Sequence, residues 1–376
     1  MSMTGTVVDH RAKDLLARCR FDVDEGYLPS CQVALAYEGE VVLSETFGDA
    51  TPDTRYVVYS ATKPFVAGMM WQLIASGQVD VSRPVVDYLP EFGTNGKDVI
   101  TVEQVMLHTS GFPSAPLTHP QWATSAGRRK AFADWRLNWT PGTAFEYHPT
   151  AAHWVLAEII IEVTGQDYRD VLEQRITGPL GLGRVLGIPL DQQQDIATVA
   201  LWGEPPTPDE LEAALGIREL PVTEVTDDAL MGFNLPAVRE VGVPGGGGIM
   251  HASDLALYYQ ALLHNTGDLW DPAVLADATG HVRNHFPDAM MGVPANRTLG
   301  LVQAGDDGKS ALRGMGRTVS PLAFGHNGAA GQVAWADPAT GLSLGYVTNG
   351  IDANLIRQWR RGSAVASRAG RCREPI

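Results

Sequence analysis

The chain has 376 residues, 44% hydrophobic and 19% charged, with a formal net charge of −15. That length allows one large domain or two lobes around a substantial core, and the acidic balance argues against nucleic acid or an anionic membrane as partner. Three cysteines, Cys19, Cys31 and Cys372, show no metal-ligand spacing, and their odd number argues against a disulfide framework.

In chain order, residues 1–21 carry charges throughout and have no apolar signal-peptide core, so a cytoplasmic protein is expected. No stretch is long enough to span a membrane. Residues 8–25 read as an amphipathic helix with Ala12, Leu15, Leu16 and Cys19 on one face. Residues 32–37 and 41–47 read as two strands around the turn Glu38-Gly39-Glu40. Residues 332–336 and 342–348 read the same way around Asp337-Pro338-Ala339-Thr340-Gly341, and 354–369 reads as a closing helix. The intervening stretch is mostly helical and looped. An α+β fold follows: an antiparallel sheet built from the N- and C-terminal segments, flanked by helices, with a large helical insertion. The expected lobes are 1–62 plus 313–376 for the sheet and 63–312 for the helices, with the site between them. The acidic, proline-rich stretch 190–243, with a helical patch at 209–215, is a candidate lid or wall. Pro244-Gly245-Gly246-Gly247-Gly248 lacks the Gly-Lys-Ser/Thr ending of a phosphate loop and reads as a tight, close-packed turn.

The chemistry is written most clearly at Ser60-Ala61-Thr62-Lys63. Residues three apart share a helix face, so the Ser60 hydroxyl and the Lys63 amine can meet. Serine needs an adjacent base to become a nucleophile, and a desolvated lysine can lose its proton near neutrality. Such a spacing arises about once by chance in a chain this long, so its surroundings matter. Pro64 is tolerated only in a first helical turn, which puts Ser60 at or near a helix N-cap. Phe65, Val66, Met69, Met70, Trp71, Leu73 and Ile74 then make the helix apolar nearly all round, hence buried.

Further segments accompany the motif: Leu107-His108-Thr109-Ser110-Gly111, Tyr147 ahead of a helix starting near Thr150, Gly246-Gly247-Gly248 before Ser253-Asp254, and His326-Asn327-Gly328-Ala329. With these the chain resembles the serine β-lactamase-like hydrolases: class C β-lactamases, family VIII carboxylesterases, D-amino-acid peptidases and penicillin-binding-protein-like enzymes. The resemblance covers most of the chain, including 77–80 through 88–92. It implies Ser60 as the acylated nucleophile, Lys63 as its base, and Tyr147 as second base and later acid. The backbone N–H groups of Ser60 and Ala329 would form the oxyanion hole. His326, Asn327 and Gly328 would line the substrate strand, where the family has Lys-Thr-Gly, His-x-Gly or Trp-x-Gly. Tyrosine titrates near 10 in water, so a cationic neighbour such as Lys63 is expected to bring Tyr147 down.

Two departures stand out. Tyr147-His148-Pro149 replaces Tyr-x-Asn, removing the side-chain amide, and His148 can supply a polar group there or face solvent. His326 replaces a lysine that meets substrate carboxylates and is mostly neutral at pH 7. Both changes favour a small ester or small amide over a β-lactam. The expected function is a serine carboxylesterase acting on a small ester or amide, without cofactor or metal. Alternatives are an amide-directed relative (D-aminopeptidase, oligoamide hydrolase or weak β-lactamase), an acyltransferase, or a non-catalytic scaffold. His108 is expected to be structural. His281 and His285, four apart, have metal-like spacing but no evident third ligand. Trp122, Trp135, Trp139, Trp154 and Trp202 include candidates for an apolar pocket.

Overall fold

The computed structural model describes residues 7–219, 225–289 and 291–376. The five longest helices among the described residues are α1 (Asp9–Asp24), α2 (Lys63–Ala75), α3 (Ala151–Thr164), α4 (Ala252–His264) and α5 (Leu355–Ala369). Six strands form one sheet: β1 (Ser30–Tyr37), β2 (Glu40–Gly48), β3 (Val302–Gln303), β4 (Phe324–Gly325), β5 (Val333–Asp337) and β6 (Leu342–Thr348). Their order is β2-β1-β6-β5-β4-β3, antiparallel throughout. In the β1–β2 turn, Glu38 and Gly39 both sit at positive φ, 50° and 79°, as a two-residue type I′ hairpin requires.

Successive strand residues face opposite sides, and the two faces differ in size. Val33, Leu35, Trp335, Leu344 and Tyr346 pack with Ala12, Leu15 and Cys19 of α1 and with Val365, Ala366 and Ala369 of α5. The opposite face presents Ala34, Ala36, Ala334 and Ala336. That flat face receives α4: a Cβ on Gly345 would fall 2.0 Å from the Ala252 carbonyl oxygen. Buried polar groups there are satisfied, with Gln260 Nε2 donating to Ala36 O and Ser343 Oγ to Ala256 O.

Helix α2 is buried from Lys63 through Trp71. Each fully buried large apolar side chain on it contributes roughly 1.5–3 kcal/mol. Tyr258 OH donates to Pro64 O and Trp270 Nε1 to Gly68 O, so polar edges of the surrounding aromatics are paired. Helix α3 packs nearby and carries the buried Glu158, which accepts from Arg128 Nε at 2.5 Å, Arg129 Nε at 3.1 Å and the Ser125 hydroxyl.

Several short strands escape the expected pattern. Val302–Gln303 forms a sheet edge from within the stretch read as helical. Tyr56–Val57 pairs with Ile249–Met250, and Ala200–Trp202 runs parallel to Gly350–Asp352. Strands of two or three residues have no alternation to read. Within 190–243 the helix is Pro208–Leu215; residues 220–224 of that candidate lid or wall lie outside the described residues. No helix among the described residues is long and apolar enough to cross a membrane.

Candidate active site

Ser60 lies near the helix N-cap, which is Thr62. Ser60–Thr62 is a 3-10 turn that runs into α2, so Ser60 precedes the α-helix rather than capping it. Pro64 falls in the first helical turn, where its missing N–H costs nothing. The preceding residue, Tyr59, is held at φ 46°, ψ −130°, a region an L side chain rarely occupies. Thr62 fixes that turn by donating to Tyr59 O at 2.5 Å and accepting from Gly248 N at 2.8 Å. From the other side, Phe233 packs edge-on against the Tyr59 ring at 5.5 Å, and Tyr59 OH reaches Leu230 O at 3.4 Å. Leu230 and Phe233 of the 190–243 stretch therefore pack against the turn.

The structure brings Ser60, Lys63 and Tyr147 together. Lys63 Nζ lies 3.1 Å from Ser60 Oγ, 2.7 Å from Pro149 O and 2.6 Å from Gly245 O. Tyr147 OH donates to Ser60 Oγ at 2.7 Å. Lys63 is wholly buried while Ser60 and Tyr147 reach solvent in part. Burial pushes the Lys63 amine well below its ordinary value, and the positive charge of Arg297 pushes it further. The glycine run is a tight turn: a Cβ on Gly245 would fall 2.9 Å from Pro149 O, and one on Gly247 2.6 Å from Val243 N. Only bare backbone lets the Gly245 carbonyl approach the lysine there.

Tyr147 departs from expectation. Desolvation pushes its hydroxyl up to about 12, outweighing the lowering by Arg297 and by the Ser60 hydrogen bond. It is a protonated donor at neutral pH, not a tyrosinate; Lys63 Nζ does lie beside it, 4.9 Å from the ring centre, while the charge that lowers its pKa is that of Arg297.

The polar atoms of the other expected contacts are taken up by the fold. His326 Nδ1 bonds Asn327 O at 2.9 Å, so Nε2 is left to accept from Arg297 Nη1 at 3.0 Å. Burial, followed by Arg297 and Lys63, holds its pKa well below the usual value. Asn327 donates to Gly314 O at 2.7 Å and accepts from Ala334 N at 3.1 Å. Gly328 is pressed on the segment leading to Ser60, since a Cβ there would lie 2.1 Å from Val58 O. His148 does not face solvent. It is fully buried, with Nδ1 on Glu146 O at 2.7 Å and Nε2 shared by Ser110 Oγ at 3.1 Å and Phe112 N at 3.2 Å. Its pKa falls to about 4 through burial. His148 thus ties the 108–112 turn to the loop bearing Tyr147 instead of offering a free polar group. His108 completes the tie by accepting from His148 N at 3.1 Å.

Arg297 and His153 carry no local sequence signal, and both sit in this cluster. The Arg297 guanidinium lies 5.2 Å from the Tyr147 ring centre and 5.6 Å from that of Phe145. His153 stacks on His108 at 5.9 Å, and neither of its ring nitrogens has a hydrogen-bond partner among the described residues. Of the tryptophans, Trp135 and Trp154 are core residues, and Trp202 donates to Gly26 O. Trp139 packs edge-on to His148 at 6.2 Å. His281 bonds Asp277, and among the described residues no group of three His, Cys, Asp or Glu is placed to hold a metal ion.

A mixed fold around a six-stranded antiparallel sheet, with a serine, lysine and tyrosine brought together, fits the serine hydrolases of β-lactamase type. The chain belongs to the Beta-lactamase family, whose pattern matches residues 9–363. It is 27% identical to Esterase/beta-lactamase LipL of Mycobacterium tuberculosis over 328 residues, 81% of this chain and 71% of that protein. The crystal structure of a penicillin-binding protein homolog from Caulobacter crescentus superposes with a TM-score of 0.77 at 25% identity, covering 98% of this chain and 99% of that one. A family VIII carboxylesterase shares the fold, with a TM-score of 0.75 at 23% identity over 99% of this chain and 100% of the other.

Proposed function

We propose that this protein hydrolyses small carboxylic esters through an acyl-enzyme on Ser60, with Lys63 as base and Tyr147 as proton donor. The arrangement around Lys63 Nζ carries the reading. A neutral amine has two N–H bonds and one lone pair. The carbonyls of Pro149 and Gly245 can only accept, so they take both N–H bonds. The lone pair is then left for Ser60 Oγ, and Tyr147 donates to that oxygen from the other side. The lowered pKa of the buried Lys63 and the raised pKa of Tyr147 favour the same two neutral forms.

In acylation, Ser60 Oγ bonds to the ester carbonyl carbon while its proton moves to Lys63. The C–O bond to the alcohol then breaks, and the departing oxygen takes the Tyr147 proton. In deacylation, water attacks the acyl carbon and gives a proton to the Tyr147 phenolate. Ser60 Oγ leaves with the proton held by Lys63. Ester and water become acid and alcohol, and both side chains return to their starting forms. General acid and base steps of this kind contribute about 10²–10⁴-fold each. The N–H groups of Ser60 and Ala329 are assigned to the oxyanion, each such donor being worth about 2.7–4 kcal/mol. The contact of Gly328 with Val58 O supports that assignment by keeping the two segments together.

Pro149 offers no side-chain amide to a peptide or β-lactam, which favours an ester; the name of the 27%-identical relative carries both esterase and β-lactamase and does not separate the two. Amide hydrolysis and acyl transfer would share the same intermediate and differ in what forms or resolves it. The test is turnover of p-nitrophenyl acetate and butyrate against a chromogenic cephalosporin, with intact mass of the trapped protein. Ester turnover with an adduct on Ser60, both lost in Ser60→Ala, is expected. Full activity of Ser60→Ala, or cephalosporin cleavage faster than ester cleavage, would overturn the reading.

A further inference from the structure

Arg297 is the charged group near the nucleophile that the scheme above leaves unused. It is 8% exposed, and its guanidinium is always protonated. A buried charge is ordinarily paired with an opposite one. Among the described residues, no carboxylate oxygen comes within the 4.0 Å of an ion pair with it; Asp288 acts on it only at longer range. Its close partners are neutral: His326 Nε2 at 3.0 Å and the faces of Phe145 and Tyr147. His326 is itself fixed, with its ring Nδ1 on Asn327 O and its backbone N–H donating to Tyr259 OH at 2.8 Å. The cation is therefore aimed by a rigid strut at the tyrosine ring.

We propose that Arg297, aimed by His326, acts through Tyr147 to stabilise the phenolate formed when the tyrosine gives its proton to the departing alcohol. The inference rests on Tyr147 being that proton donor. When the C–O bond breaks, its electron pair stays on the alcohol oxygen and the Tyr147 proton joins it. The negative charge moves to the phenol oxygen and persists through the acyl-enzyme until water restores the proton. A positive charge held 5.2 Å from the ring centre in a desolvated site favours the ionised form. The neutral ground state gains nothing comparable, so the benefit falls on the reacting state. Arg297 is a positioning residue in this scheme, and its effect depends on how much the leaving group needs a proton.

The leaving group therefore supplies the test. A nitrophenolate leaves without a proton, whereas an ethoxide does not. kcat/KM is measured on ethyl butyrate and p-nitrophenyl butyrate for the native protein, Arg297→Met, Arg297→Lys and Tyr147→Phe. The ratio of the two rates on one preparation is independent of the fraction correctly folded. In Arg297→Met the ethyl to p-nitrophenyl ratio is expected to fall about 100-fold, the low end of general acid catalysis. Arg297→Lys should recover most of the ratio, and Tyr147→Phe should lose at least as much as Arg297→Met. If Arg297→Met leaves the ratio unchanged while Tyr147→Phe lowers it, this inference fails and the esterase scheme stands. If neither variant changes it, the assignment of Tyr147 itself fails. A loss confined to esters bearing a free carboxylate, probed with monoethyl succinate, would overturn the inference in favour of a substrate anchor.

Discussion

The Lys63 amine donates to the carbonyl oxygen of Pro149 at 2.7 Å. Position 149 has no side-chain amide, yet it hands the lysine an acceptor, drawn from the backbone. Pro149→Ala keeps that carbonyl and should leave ester turnover within about threefold, a change of roughly 0.6 kcal/mol in the barrier. Lys63→Arg removes the titratable base, because a guanidinium holds its proton, and should cost about 10²–10⁴-fold. Steady-state rates with matched far-UV spectra decide both; a Lys63→Arg enzyme of native rate would exclude Lys63 as base.

Lys63 also couples stability to pH. Its pKa in the fold lies well below the 10.5 of a free lysine, so between those two values the unfolded chain binds more protons than the folded one. Stability contributed by this group therefore rises with pH across that window and falls as pH drops toward the folded pKa. The slope approaches about 1.4 kcal/mol per pH unit for one whole proton. Lys97, lowered to about 8, adds its own slope above that pH, so the comparison is native protein against Lys63→Met. Urea unfolding from pH 7.5 to 8.5 should give a shallower rise in the variant. Parallel curves would mean the lysine is charged in the fold.

Gly328 sets how close the 326–329 segment comes to Val58, two residues before the nucleophile. Gly328→Ala places a carbon 2.1 Å from Val58 O, an overlap that backbone must yield to. A loss of at least about 1–3 kcal/mol is expected, together with a fall in acylation rate as the proposed oxyanion donors separate. Chemical denaturation and pre-steady-state acylation read the two effects independently; an unchanged acylation rate in a destabilised variant would detach Ala329 from the oxyanion.

Glu158 tests the scaffold away from the chemistry. It is fully buried and held by Arg128, Arg129 and Ser125. Glu158→Ala leaves Arg128 buried without its partner, and breaking a buried pair in this way costs about 3–5 kcal/mol. The urea midpoint should fall accordingly, while the ratio of ester rates with different alcohols stays native. A midpoint close to native would mean that solvent reaches the arginines.

The long elements were readable because they bury one face at a clear period. Ala12, Leu15 and Cys19 mark α1, and the alternation through Val33, Leu35 and Tyr346 marks the sheet. Ser60, Lys63 and Tyr147 were readable because two of them share one helical turn and the third follows a recurrent loop. Arg297 was not, because its side-chain neighbours come from two distant segments, Phe145 and Tyr147 in one and His326 in the other, and nothing in Asn296-Arg297-Thr298 announces a cation left without an acid. The direction of the Tyr147 shift was also hidden, since it depends on how much water the folded site removes from the hydroxyl. His148 looked available as a replacement for a lost amide; only the packing of Ser110, Phe112 and Glu146 around its ring shows that it is already engaged.

The left-handed backbone at Tyr59 has a consequence for how this protein would respond to selection. A bulky residue at φ 46° is held there against its own preference, at a cost of about 1–3 kcal/mol, by Thr62 on one side and Phe233 on the other. Mutations that let the turn relax are an easy source of thermal resistance, and they would release the serine from its aim. Directed evolution for heat tolerance alone would thus tend to drift through this turn toward sturdier, slower enzymes, unless turnover were screened in every round.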